Sequence, residues 1–280
     1  LFLSTGVWVA LSMIGVSTIA MTLFTSRPVG DAMATTIWGT SSSWTLTALP
    51  LFVWMGEILF RTKLSENLFE GLSPWMQKLP GGLIHVNVVG CALFAAISGS
   101  SAATVATVGK MSIPELRKRN YPEKILLGSL AGSGTLGLLI PPSIILIIYG
   151  VTVQESIAKL FVAGIIPGIM IALIFMSYVI LWSLFNKKQM PNIVNQYSLI
   201  DKIKRSGQLI PVIILILSVI GSIYTGIATA TEAASLGVVG ALILSYFQKS
   251  LSWSTFKSSL LGATKTSCMI SFILAGSAFL

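Results

Sequence analysis

Residues 83–150 of the chain read LIHVNVVGCALFAAISGSSAATVATVGKMSIPELRKRNYPEKILLGSLAGSGTLGLLIPPSIILIIYG. Two apolar runs in this stretch are each interrupted near the middle, first at Ser98-Gly99-Ser100-Ser101 and again from Gly132-Ser133-Gly134-Thr135 to Pro141-Pro142-Ser143. Unpaired backbone groups in hydrocarbon cost several kcal/mol each, so such breaks persist in a membrane only where they are buried in protein or line a polar cavity. We therefore predict that the two breaks meet near mid-membrane and bind a cation beside a small anionic solute.

The composition predicts an all-α membrane protein, a bundle of several spanning helices. Hydrophobic residues make up 54% of the chain and charged residues 10%, whereas soluble domains carry about 25% charged residues. The first run of spanning length is 1–24, and it lacks the basic leader and small-residue cleavage site of a signal peptide. The chain begins with Leu and ends inside an apolar run, so we expect it to be part of a longer protein.

The net charge of +9 is explained by membrane orientation rather than by nucleic-acid binding. Of the 18 basic residues, 15 fall in loops that we assign to one face. They are Arg61, Lys63, Lys78, Lys110, Arg117, Lys118, Arg119, Lys124, Lys187, Lys188, Lys202, Lys204, Arg205, Lys249 and Lys257. Arg27 and Lys159 fall on the other face, and Lys265 lies within an apolar run. Because basic loops stay inside, the segments 61–82, 109–124, 186–207 and 248–257 are predicted to be cytoplasmic.

The chain divides into consecutive segments. Residues 1–60 hold the N-terminal spans, 1–24 and 44–60, which are joined by a loop with Arg27, Pro28 and Asp31 and a Ser/Thr-rich passage at 40–47. An amphipathic interfacial segment at 61–82, a re-entrant hairpin at 83–108 and a loop with a broken helix at 109–150 follow. Residues 151–247 hold spans at 160–185, 209–224 and 232–247 around the basic loop 186–207, and 248–280 leads into a further apolar run. The hairpin is predicted to re-enter because basic residues flank both of its ends.

Oxygen atoms converge at the two breaks. Hard cations such as Na⁺ prefer oxygen ligands, which unwound carbonyls and nearby hydroxyls supply. The predicted cation ligands are Ser98, Gly99, Ser100, Ser101, Thr104, Gly134, Thr135, Gly137 and Pro141, and the predicted substrate-binding residues are Ser101, Thr135, Pro142 and Ser143. A half-helix that starts after a break presents a positive N-terminus, which suits a carboxylate. The alternative is that small residues only let helices pack closely.

The remaining polar side chains in apolar surroundings have structural interpretations. Glu57 precedes Arg61 by four residues and is more consistent with a helical ion pair than with a proton relay. Glu232 follows Thr229 by three residues at the start of a span, which is typical of a capping box. His85, the single histidine, has no Cys, Asp or Glu nearby and is interpreted as a satisfied interfacial residue.

Catalytic patterns are absent from the sequence. It contains no GxSxG, HExxH or Walker motif and no paired carboxylates in an apolar setting. Cys91 and Cys268 lack metal-ligand spacing and are predicted to be small buried hydrophobes. The chain is therefore not predicted to be an enzyme, and uphill transport would draw on an ion gradient or on another chain.

The chain resembles the large membrane subunit of tripartite ATP-independent periplasmic (TRAP) transporters. The resemblance is carried by residues 50–57 (PLFVWMGE), 98–104 (SGSSAAT), 113–116 (IPEL), 134–143 (GTLGLLIPPS), 161–168 (FVAGIIPG) and 231–234 (TEAA). It implies a Na⁺-driven elevator-type importer in the bacterial inner membrane, with a small membrane subunit and a periplasmic substrate-binding protein as partners. It also implies two inverted repeats, of which the first is present, and residues 264–280 resemble the start of the second.

The resemblance leaves the organic acid open. The passages 38–44 and 54–57 look most like members that carry sialic acid, while carriers of C4-dicarboxylates share the double-proline block. A passive channel or a scaffold subunit remains the alternative from another functional class.

Overall fold

The computed structural model of the chain describes residues 6–62, 64–191, 198–207 and 209–280. In this part of the chain all regular structure is helical, which confirms the all-α prediction. The helices are α1 (Val9–Phe24), α2 (Val29–Ser41), α3 (Ala48–Phe60), α4 (Leu64–Met76), α5 (Ile84–Ser98), α6 (Ser101–Lys118), α7 (Glu123–Gly134), α8 (Ile144–Val153), α9 (Ile157–Phe185), α10 (Leu199–Ser206), α11 (Ile210–Tyr224), α12 (Ala230–Phe247) and α13 (Trp253–Phe279), with short 3-10 turns at Trp44–Thr47, Thr135–Leu138 and Lys187–Gln189.

Several helices are long and apolar enough to cross a membrane. Within the described residues α9, α12 and α13 each meet that test, and the number rises to 5 if two bent helix pairs are each one span. Those pairs are α2 with residues 44–60, bent by 57°, and α10 with α11. The chain is therefore a multi-pass helical membrane protein, as predicted from its composition.

Three predicted loops contain helix. The connection that carries Asp31 forms α2, the loop predicted from residue 109 is the continuation of α6 as far as Lys118, and α10 lies inside the basic segment 186–207. The second half of α6 could not be predicted because Pro114 interrupts its helical pattern. In the structure Pro114 is exposed, where the lost backbone hydrogen bond is tolerated. Helix α2 could not be predicted because its apolar spacing is weak, and in the structure none of its residues is buried. Parts of two predicted segments, residues 1–5 and 192–197, lie outside the described residues, as does Lys63.

The residue before α5 and a residue after α6 are in contact, so the two ends of the α5–α6 hairpin lie together. The Tyr121 hydroxyl, which follows α6, accepts a hydrogen bond of 3.1 Å from the Leu83 N–H, which precedes α5. Asn87 on α5 also donates to the Leu126 carbonyl and the Ser129 hydroxyl of α7, at 3.2 and 3.0 Å. The two ends of the hairpin therefore lie together, and α5, α6 and α7 form one packed unit. Re-entry of the hairpin into the membrane stays a prediction.

Replacing Tyr121 with Phe is expected to destabilise this unit by about 1 kcal/mol, because the Leu83 N–H loses its acceptor. The matched control is Tyr178→Phe, since the Tyr178 ring is exposed on α9. Thermal unfolding in detergent should show a lower midpoint for Tyr121→Phe alone. Equal midpoints for the two variants would mean that the hairpin ends do not depend on this bond.

The buried helix α3 connects the hairpin to the remaining helices. Its side chains form the centre of the larger apolar cluster, where Phe52 meets Phe161 of α9 edge to face at 6.0 Å. The cysteine prediction is half wrong: Cys91 is buried, but Cys268 is exposed on α13. In a membrane helix, apolar neighbours in sequence do not distinguish a lipid-facing side from a buried one.

Candidate ion and solute site

The two broken helices touch at their breaks. Between α5 and α6 the chain turns at Gly99, whose φ is 58°, and between α7 and α8 it passes through the 3-10 turn and the non-helical residues 139–143. The Ile144 N–H, at the start of α8, donates to the Gly99 carbonyl across 3.3 Å. This hydrogen bond confirms the prediction that the two breaks meet. We call the contact region, residues 98–104 and 134–144, the junction.

Glycines make this close approach possible. A Cβ on Gly99 would lie 2.5 Å from the Pro142 carbonyl oxygen, and one on Gly137 would lie 2.9 Å from the Ser101 nitrogen. A Cβ on Gly134 would collide with the Val105 side chain. Close packing, and at Gly99 also the φ of 58°, explains why glycine occupies these predicted ligand positions. The group that each of them could offer an ion is its carbonyl.

Two glycines on neighbouring helices complete the walls of the junction. A Cβ on Gly56 of α3 would lie 2.9 Å from the Ser98 Cα, and one on Gly164 of α9 would lie 2.7 Å from the Leu139 carbonyl oxygen. Sequence reasoning did not assign either residue to the site, although both lie in blocks that carry the family resemblance. Their only signal is a glycine inside an apolar helix, which does not reveal what it faces.

Three of the four hydroxyls at the first break have hydrogen-bond partners within the hairpin. The Ser98 and Thr104 hydroxyls are 2.9 Å apart, and Ser100 caps α6 by accepting from the Ala103 N–H at 3.4 Å. A hydroxyl has two acceptor lone pairs, so a group that donates one hydrogen bond still presents oxygen to an ion. The pair is nearly or fully buried, with Ser98 6% and Thr104 0% exposed.

Ser101 has the least satisfied polar group of the junction. Within the described residues its Oγ is buried and has no hydrogen-bond partner. Buried hydroxyls without partners are costly, so each one needs an explanation such as an ion or a water molecule. A bound cation at the junction would supply the missing interaction.

The double proline frees a carbonyl beside Ser101. Pro141 and Pro142 have no N–H to give to the carbonyls four residues earlier, those of Gly137 and Leu138. The Ser143 hydroxyl takes the place of one missing donor, reaching the Leu138 oxygen at 2.7 Å. Pro141 has no N–H to donate to the Gly137 carbonyl, and the Gly137 backbone packs against the backbone of Ser101.

The predicted substrate residues are separated by the structure. Pro142 and Ser143 are buried at the junction, and the Ser143 hydroxyl is engaged with Leu138. Thr135 is exposed, and its hydroxyl donates to the Gly132 carbonyl of its own helix at 2.7 Å. The junction therefore brings together the Ser98–Thr104 segment with residues 137–144, while Thr135 lies at its margin.

The polar residues assigned structural roles have the expected contacts. Arg61 pairs with Glu57 at 2.9 Å, and Thr229 and Glu232 form a complete capping box, with the Thr229 N–H donating to the carboxylate at 2.8 Å. The His85 Nε2 lies 2.8 Å from the Pro80 carbonyl, although within the described residues Nδ1 has no partner. His85 is thus only half satisfied, in contrast to the prediction.

A cavity of about 1210 Å³ lies away from the junction. Its lining comes from residues 35–45, 150–158, 229–235 and 274–278 and includes none of residues 98–104 or 134–144. The cavity begins at the C-terminal end of α8, whereas the N-terminus of α8 is at the junction, so the length of that helix, about 15 Å, separates the two. Lysine and arginine are absent from the lining residues, which include Glu155 and Glu232.

Comparison with known proteins gives consistent matches. The family model described as "Tripartite ATP-independent periplasmic transporter, DctM component" matches residues 1–280. The C4-dicarboxylate TRAP transporter large permease protein DctM of Pseudomonas aeruginosa is 33% identical over 245 residues, 87% of this chain and 57% of that protein. The 2,3-diketo-L-gulonate TRAP transporter large permease protein YiaN of Escherichia coli is 33% identical over 251 residues, 87% of this chain and 57% of its own.

A third relative carries a name that combines two components, DctMQ. The isethionate TRAP transporter permease protein DctMQ of Oleidesulfovibrio alaskensis is 32% identical over 281 residues, 98% of this chain and 43% of that protein. The chain thus spans about half the length of the curated relatives that it matches.

Proposed function

Because the chain belongs to the DctM family of tripartite ATP-independent periplasmic transporters, we propose that it forms the ion-binding part of a Na⁺-coupled importer of an organic acid. Proteins of this family are transporters and not enzymes, and the apolar helices agree with a multi-pass protein of the bacterial inner membrane. The coupling ion, the substrate, the partners and the elevator movement are parts of the proposal.

The observation that supports the cation most directly is the oxygen-rich junction. Within the described residues the buried Ser101 hydroxyl has no hydrogen-bond partner, and the Ser101 backbone packs against Gly137, whose carbonyl cannot receive the usual helical hydrogen bond from Pro141. The Ser98–Thr104 hydroxyl pair adds two more oxygens on the same break. Within the described residues no three His, Cys, Asp or Glu side chains cluster, so the donors offered are neutral oxygens, which suit a monovalent hard cation.

An organic acid is the substrate class that fits best. Three relatives are named for C4-dicarboxylate, isethionate and 2,3-diketo-L-gulonate, which are all organic anions. At the junction α8 has no side-chain N-cap, because Ser143 bonds to Leu138 instead, and its first N–H, that of Ile144, donates to Gly99. The positive end of its helix dipole would favour an anionic group nearby. We propose sialic acid as the substrate, with a C4-dicarboxylate as the alternative that the Pseudomonas relative favours.

We propose that the basic loops face the cytoplasm and that the cavity of about 1210 Å³ opens toward the periplasm. Lys78, Tyr121 and Lys187 line a common cavity, so three of the basic segments lie at one end of the molecule. A small membrane subunit and a periplasmic binding protein would then complete the transporter, the latter releasing substrate at the opposite end. Transport would proceed by movement of the α5–α8 unit past the other helices.

Reconstitution of the complete transporter in liposomes tests the proposal. With its small membrane subunit and binding protein present, uptake of labelled sialic acid or succinate should require an inward Na⁺ gradient. Uptake that follows the substrate gradient and ignores Na⁺ would instead indicate a passive channel. The preferred acid is identified by competition between the two substrates.

Ser101→Ala is expected to raise the Na⁺ concentration for half-maximal uptake about tenfold, since a hydroxyl ligand is worth about 1 to 1.5 kcal/mol. Protein stability should not fall, because the lost hydroxyl has no protein partner in the described structure. Ser112→Ala is the matched control, since Ser112 on the same helix also has a buried, unpartnered hydroxyl but lies outside the junction. Equal Na⁺ dependence in both variants would remove Ser101 from the site.

A further inference from the structure

A second cavity, of about 420 Å³, lies at the end of the molecule where the basic loops gather. It is lined by the turn 78–82, which leads into α5, by residues from 183–191, where α9 ends, and by Tyr121. This cavity plays no part in the junction.

Two segments contribute positive charge to the cavity. Lys78 comes from the turn and Lys187 from the segment after α9, and no acidic side chain lines the cavity among the described residues. Among the described residues the ion pairs join Arg61, Arg117 and Arg119 to glutamates, so neither lysine has an acidic partner there. Two lysines that line one cavity without acidic partners in the described part of the chain favour an anionic ligand.

Tyr121 also lines the cavity and offers a neutral hydrogen-bond donor. The Tyr121 hydroxyl accepts the Leu83 N–H, which leaves its own proton free to donate. Burial raises the pKa of this phenol above its ordinary value, so the proton is retained. Gly82 has a φ of 54°, and a Cβ there would lie 2.5 Å from the Tyr121 oxygen, so glycine at this position leaves room for the Tyr121 hydroxyl.

Apolar side chains continue from the cavity along α9. Leu79, Leu184 and Met190 line the cavity, and next to it Phe185 is 86% exposed. Since α9 is long and apolar enough to span a membrane, lipid acyl chains would contact this surface in a bilayer. A charged head beside an apolar track matches an amphiphile better than a small soluble anion.

We propose that this cavity binds a phosphate group between Lys78 and Lys187, and that its source is an anionic phospholipid whose chains lie along α9. The phosphate oxygens accept from the two ammonium groups and from the Tyr121 hydroxyl. A lipid held here bridges the turn that enters the hairpin and the end of α9, two elements that already meet where Gly81 packs against Val179.

Native mass spectrometry of the full chain, released from nanodiscs that contain phosphatidylglycerol and phosphatidylcholine, tests the proposal. The wild type should retain one phosphatidylglycerol in preference to phosphatidylcholine. In titrations the double variant Lys78→Gln/Lys187→Gln should bind it about 30-fold more weakly, from about 1 kcal/mol for each lysine. The control Lys118→Gln/Lys188→Gln removes the same charge from exposed positions outside the cavity and should bind as the wild type does.

Inorganic phosphate separates the two possible sources. If it displaces phosphatidylglycerol at millimolar concentration, and its own binding is lost in the double variant of Lys78 and Lys187, the phosphate site stands but its ligand is soluble. If the double variant and the control lose phosphatidylglycerol equally, or neither loses it, the proposal is wrong. Thermal unfolding of both variants checks that each remains folded.

Discussion

Gly99→Val is expected to abolish Na⁺-driven uptake, with an apparent Na⁺ affinity reduced about 100-fold or more. The residue has a φ of 58°, which a β-branched side chain rarely adopts, and its Cβ would lie 2.5 Å from the Pro142 carbonyl oxygen. Strain and displacement together cost about 3 kcal/mol, which is about 100-fold in affinity. The hydrogen bond between Ile144 and Gly99 would also be lost. Uptake by the reconstituted transporter at graded Na⁺ concentrations measures the effect.

Gly128→Ala is the control for this variant. Gly128 lies in α7, in the same packed unit, and a Cβ there would meet nothing within 4 Å. Alanine within a helix is favoured over glycine by about 0.5 to 1 kcal/mol, so this variant should transport normally and be at least as stable. Normal Na⁺ affinity in Gly99→Val, with the protein folded, would show that the junction does not hold the ion.

Gly56→Ala is expected to weaken Na⁺ binding about tenfold, although Gly56 lies on α3, outside the hairpin. Its Cβ would lie 2.9 Å from the Ser98 Cα and 3.3 Å from the Ile97 carbonyl oxygen, both of which are backbone atoms. Overpacking of this kind costs about 1 to 3 kcal/mol, and relief requires the tip of the hairpin to move. Because Ser98 pairs with Thr104, that movement displaces two predicted ligands together.

Gly221→Ala in α11 is the corresponding control, since a Cβ at that position would meet nothing within 4 Å. The decisive comparison is the Na⁺ concentration for half-maximal uptake in Gly56→Ala, Gly221→Ala and the wild type. A reduced maximal rate at unchanged Na⁺ affinity would assign Gly56 to the movement of the hairpin instead of to the ion site.

Much of the fold could be predicted from local patterns. The breaks at Ser98–Ser101 and Gly134–Pro142 are readable because polar residues and prolines inside apolar runs violate the requirement that backbone groups be paired in a membrane. The spans α9, α11 and α12 follow from run length, and the capping box at Thr229 and Glu232 from residue spacing. Helix α2 escaped prediction because its apolar spacing is weak, and the second half of α6 because Pro114 interrupts its helical pattern.

The sequence by itself determined that the chain is a helical membrane protein with two interrupted segments, because these properties depend on composition and on residues close together in the chain. Only the tertiary structure decided that Gly99 and Ile144 are hydrogen-bonded, that Gly56 and Gly164 face the junction, and that the Ser101 hydroxyl has no partner among the residues that the structure describes. Those facts depend on which helices pack together and at what separation. A glycine or a serine has the same letter whether it faces lipid, another backbone or an ion.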